Sequence, residues 1–165
     1  MLKKIVTVFL CIVCTAGTLI GCGKADINPE SRCISNFVAT ADRSDMPIVV
    51  DEPKSEDVQN IYIAVKRSAD ESKILWQIEH YEMTDEEKAK VLFDNLIAER
   101  EKTFGETISI TENGKLVIAT LTIEETYFYL EKVGNILILA EIPVEYKPSI
   151  TSFVKELENT LETES

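Results

Sequence analysis

The sequence predicts an α+β domain: an N-terminal hairpin and a four-stranded meander forming an antiparallel sheet, with two helices packed on one face. Three observations carry that expectation. Ile61, Ile63 and Val65 alternate with Tyr62, Ala64 and Lys66, and Ile74, Trp76, Ile78 and His80 with Leu75, Gln77, Glu79 and Tyr81, the period of a half-buried strand. Two separate stretches, 85–103 and 149–161, instead place apolar residues at helical spacing. Short polar or glycine-containing turns punctuate residues 107–142, which suits a meander of antiparallel strands.

Taken in order, Cys33–Val38 and Met46–Val50 are short apolar patches separated by a polar run. They are expected to be edge strands or an irregular wrap, because Pro47 and Pro53 oppose a central strand. Ile61, Ile63 and Val65 then define one arm of a hairpin, residues 68–72 its polar turn, and Ile74, Trp76, Ile78 and His80 one face of the second arm. Thr84 and Glu87 have the spacing of a capping box, in which each side chain satisfies a free backbone N–H. Ala89, Leu92, Phe93 and Leu96 follow at helical intervals, and Gly105 sits where a helix would stop.

In the meander, Asn113-Gly114 is the strongest turn signal, since a two-residue hairpin turn requires positive φ. Leu116–Ile123, Thr126–Val133 and Ile136–Ile142 are the following strands, with Gly134-Asn135 as another turn. Ile136–Leu139 is apolar on both faces, which predicts an interior strand. Pro148 or Ser149 opens the last helix, with Ile150, Phe153, Val154, Leu157 and Leu161 along one stripe. At the level of topology alone this order resembles the Mog1/PsbP-like arrangement, a resemblance that carries over no functional residue.

The first 22 residues obey a different logic. Lys3 and Lys4 precede an apolar run from Ile5 to Ile20, which ends in Leu19-Ile20-Gly21-Cys22. This segment resembles the signal peptide and lipobox of bacterial lipoprotein precursors. The resemblance implies cleavage before Cys22, a diacylglyceryl thioether on its sulfur and fatty acids such as palmitate. At 16 residues, broken by Thr7, Thr15, Gly17 and Thr18, the apolar run is short for a membrane span, which needs roughly 20. An ordinary secretory signal would end in an A-x-A-like site instead. The expected organisation is therefore a signal peptide over 1–22, a polar tether over 23–32 and one domain over 33–165. Ten extended residues would reach roughly 33–36 Å. The expected location is the extracytoplasmic side of a bacterial cytoplasmic or outer membrane.

Loss of the signal removes two lysines and no acid, moving the formal charge from −12 for the whole chain to −14 for residues 23–165. Such a balance repels nucleic acid and anionic headgroups within a Debye length of about 8 Å, and favours solubility or cationic ligands. Cys11 and Cys14 also leave with the signal, so Cys33 is the one thiol remaining after lipidation of Cys22. It is expected to be a small buried hydrophobe.

No motif points to catalysis. His80 is the only histidine, which excludes multi-histidine metal sites and reads as a structural histidine on a strand. Pairing with Cys33 as nucleophile and base lacks any supporting local signature. The acidic runs 42–45 and 51–57 lack calcium-loop spacing, and isolated glycines form no phosphate-binding loop. No cofactor and no metal are expected. The candidate binding residues are Tyr127 and Tyr129, which alternation puts on the face opposite Phe128 and Leu130. If the helices cover Phe128, the tyrosines lie on an open sheet face. The expected function is a non-enzymatic, membrane-anchored binding or accessory module whose partner is an envelope protein or peptide. An immunity-type lipoprotein that captures a cationic peptide is one alternative, and an envelope hydrolase using His80 is another.

Overall fold

In the computed structural model, which describes residues 29–159, seven antiparallel strands form one sheet with helices on both sides. The strands are β1 (Ile48–Asp51), β2 (Val58–Arg67), β3 (Ile74–Met83), β4 (Ser109–Asn113), β5 (Leu116–Ile123), β6 (Thr126–Val133) and β7 (Ile136–Pro143). The helices are α1 (Ile34–Arg43), α2 (Glu86–Phe104) and α3 (Lys147–Asn159), preceded by a 3₁₀ turn at Pro29–Arg32. Across the sheet the order is β1-β2-β3-β7-β6-β5-β4. The hairpin and the meander thus join through β3 and β7, paired from Glu79↔Leu139 to Glu82↔Ile136.

The α+β class stands, but the helices do not share a face. On one side α1 and α3 cover Ala64, Trp76, Ile78, Tyr127, Tyr129, Ile138 and Ala140 with Phe37, Ile150, Phe153 and Leu157. On the other, α2 lays Ala89, Phe93 and Ile97 over Phe128, Leu130, Leu137 and Leu139. The physical reason lies in β6 and β7, whose residues are buried on both faces and so need cover on both. The sequence pattern of Ile136–Leu139 is satisfied in the same way, since β7 lies between β3 and β6.

Three local expectations change. Residues 34–43 are a helix, because Phe37 and Ala41 fall on one side and pack into the core at 0% exposure. The α2 N-cap is Asp85, whose carboxylate accepts from the Lys88 backbone N–H at 2.8 Å, while Thr84 instead donates to the Asp57 carbonyl at 3.3 Å. The β4–β5 turn is Gly114-Lys115, because Asn113 pairs with Leu116 as part of the ladder; Gly114, at φ +61°, takes the first turn position that glycine suits. Gly105 ends α2 in the left-handed conformation, as its position in the sequence predicts.

Candidate functional site: a buried polar seam and two open edges

The chain segment just before α1 is part of the fold. Ser31 and Arg32 are 2% and 1% exposed, so the 3₁₀ turn is packed into the fold rather than lying in a solvated linker. The Arg32 guanidinium lies under α3 and pairs through Nε with Glu131 on β6, itself 1% exposed. Its Nη2 reaches Glu158 on α3 at 3.2 Å and its Nη1 donates to Ser31 Oγ at 3.2 Å. The Tyr129 hydroxyl donates to the second Glu131 oxygen. Two charges removed from water cost several kcal/mol each, and only such a saturated set of partners offsets that. Burial opposes the charged form of Arg32, yet Glu131 and Glu158 together outweigh it and raise its pKa. Tyr129 is held protonated well above the usual tyrosine range, first by burial and then by Glu131.

His80 closes the seam from β3. Its Nε2 lies 2.8 Å from the Arg32 carbonyl, which can only accept, so Nε2 carries the proton. Nδ1 is buried and has no hydrogen-bond partner among the described residues. The ring is 1% exposed and packs against Phe37 at 5.1 Å and Tyr62 at 6.1 Å between ring centroids. Burial pushes its pKa down, against smaller opposing effects from the Arg32 carbonyl and Glu82. A histidine roofed by α1 in this way has no path to a substrate in solvent. Cys33 is half-buried, with Sγ 3.0 Å from Ser35 Oγ, and is less buried than its apolar neighbours in sequence suggest.

The open face expected at Tyr127 and Tyr129 is not there. They are 5% and 7% exposed beneath α3, on the face opposite Phe128 as alternation requires, but both faces are roofed. Their rings lie 6.5 Å apart, and the Lys147 ammonium sits 4.8 Å from the Tyr127 ring centre. Tyr129 still lines a shallow groove of about 260 Å³ with Ile118, Val154 and Glu158. Cys22 lies outside the described residues. Among the described residues no group of three or more His, Cys, Asp or Glu side chains is placed to hold a metal. Nor is any helix there long and apolar enough to cross a membrane.

What the sheet leaves uncovered are its edges. At one, β4 exposes Ile110 to 49%. At the other, β1 exposes Val49 to 49% and Val50 to 66%. The β1 edge agrees with the edge strand that Pro47 and Pro53 suggest for residues 46–50, whereas the β4 edge follows from strand order, which no local pattern reveals.

No family model matches the chain, and neither does any curated protein. Among solved structures, a GTP-binding regulator from Thermotoga maritima aligns with 77% of this chain and 85% of its own, at 16% identity and a TM-score of 0.47. Likeness of that degree carries neither fold nor function across.

Proposed function

We propose that this chain is the precursor of a bacterial lipoprotein whose domain is a non-enzymatic binding or accessory module held at the outer side of an envelope membrane. The observation that carries the reading is the lipobox Leu19-Ile20-Gly21-Cys22, close in sequence to Ser31 and Arg32, which are buried in the fold. Two acyl chains on Cys22 give stable anchoring, at about 0.8 kcal/mol per buried methylene. Residues 23–30, fully extended, would span at most about 29 Å, so the domain works next to the bilayer. Burial of His80 under α1 supports the non-enzymatic reading over the hydrolase. The formal charge of −14 over residues 23–165 favours a cationic peptide as partner, as an immunity-type lipoprotein would have.

Intact mass spectrometry of protein extracted from membranes of an expressing bacterium tests this. The expected species begins at Cys22, carries a diacylglyceryl group and disappears in Cys22→Ser, which also leaves the membrane fraction. An unmodified chain, or one cut elsewhere, would overturn the lipoprotein reading.

A further inference from the structure

We infer that the outer edge of β1 is the docking site of the binding module, and that it takes a basic, extended peptide segment as an added strand. The inference rests on the binding-module reading above, but not on the lipid.

The geometry of the edge is set by its ladder with β2. The Val65 N–H donates to the Pro47 carbonyl at 3.1 Å, and the register runs from Ile48↔Ala64 to Asp51↔Ile61. In an antiparallel pair, hydrogen-bonded residues alternate with non-bonded ones. The residues bonded to β2 are therefore Pro47, Val49 and Asp51, and the N–H and C=O groups of Ile48 and Val50 point away from the sheet. Among the described residues no further strand pairs with that side. Pro47 and Pro53 bracket the edge and confine pairing to the short stretch between them.

The side chains favour a partner that brings apolar residues to the edge. Val50 stands beside Tyr62 on the α1 and α3 face, while Val49 stands beside Ile63 on the opposite face. Both valines are about half exposed or more, so an incoming strand would cover apolar surface on each side. The β4 edge differs, since Ser109, Thr111 and Glu112 surround its one exposed aliphatic, Ile110.

Charge selects the partner. Residues 45–82, which supply β1, β2, β3 and their turns, carry nine acidic side chains against four basic ones. Asp51 ends β1 and Glu52 follows it, both exposed. Glu79 lies across from Ile63 on β3. A second copy of the chain would bring the same acids against these, whereas lysine or arginine flanking an aliphatic strand would be drawn in.

The test uses the full chain in non-ionic detergent and fluorescence anisotropy of a labelled eight-residue peptide alternating lysine and valine. Wild type is expected to bind it, with affinity falling as salt rises, and to ignore an alternating glutamate–valine peptide. Val50→Pro removes an outward N–H and no bond of the β1–β2 ladder, so it should keep that ladder and weaken binding at least tenfold. The fully N-methylated lysine–valine peptide keeps the charge and loses every backbone donor, so its binding should vanish; it decides the matter if Val50→Pro does not fold. Asp51→Asn/Glu52→Gln should weaken binding several-fold and flatten its salt dependence. Equal binding of the methylated peptide would reduce the interaction to charge alone and overturn strand addition. Absence of wild-type binding would overturn the inference while leaving the mass measurement to decide lipidation. Self-association abolished by Val50→Pro would assign the edge to a second copy and overturn the cationic-peptide occupant.

Discussion

The two faces of the sheet are closed by different physics. Beneath α2 the buried residues are Met83, Ala89, Phe93, Ile97, Ile108, Ala119, Phe128, Leu130, Leu137 and Leu139, and the nearest buried charge, Lys132, reaches the rim to lie 3.6 Å from Glu86. Beneath α1 and α3 an apolar core of similar make-up is interrupted by Arg32, Asn36, Thr40, His80 and Glu131, all at 9% exposure or less. The first face is built by a helix from the middle of the chain. The second is built from both ends of the domain, and Arg32 joins them through Glu131, 99 residues away, and Glu158, 126 residues away. Apolar packing is non-directional and tolerates small shifts, whereas a buried ion pair works in one geometry. The polar seam therefore fixes where the N-terminal turn docks, and with it where a tether from Cys22 would end.

If the contrast holds, truncation of large core side chains should be costly on both sides and indifferent to pH. Phe93→Ala beneath α2 and Phe153→Ala in α3 should each lose about 3–5 kcal/mol in urea unfolding, because each leaves a cavity in a core where the ring is 3% exposed. The faces should separate when pH is varied. His80 is held neutral by burial, so its folded pKa lies below the ordinary histidine value, and the unfolded chain takes up a proton near pH 6.5 that the folded chain refuses. Its contribution is complete above that pH and declines as pH falls below it. Urea midpoints measured from pH 7.5 to pH 5 should show this decline in wild type and in Phe93→Ala, and a smaller one in His80→Leu.

Smaller effects sharpen the picture at the margins. Asp85→Ala should cost about 1 kcal/mol, since it removes the one side-chain cap of α2, whereas Thr84→Ala should cost less. Ile110→Thr on the exposed β4 edge should change stability by no more than about 0.5 kcal/mol, which thermal melting can verify.

The α2 face was the legible one. Alternation in Ile61–Val65 and Thr126–Leu130 assigned strand faces, helical spacing from Ala89 to Leu96 assigned α2, and Gly105 and Gly134 marked a helix end and a turn. What the sequence hid had physical causes. Helix α1 spans ten residues and has no side-chain cap at Cys33, so the spacing of Ile34, Phe37 and Ala41 was the one available signal, and two nearby prolines argued for edge strands instead. The faces of Tyr127 and Tyr129 were read correctly relative to Phe128. Their cover was not, because the side on which a helix lands depends on connections rather than on the strand's own residues. The Arg32 seam has no local pattern at all, since its partners meet only in the folded chain.

A double-mutant cycle across Arg32 and Glu131 tests the seam most directly. Arg32→Met and Glu131→Met should each cost about 3–5 kcal/mol at pH 7, because Glu131 then loses its buried cation and Arg32 keeps only the partly exposed Glu158, while the double variant should lose less than either single one. Losses that simply add would show two side chains acting independently, and would contradict a buried pair that docks the N-terminal turn onto the sheet.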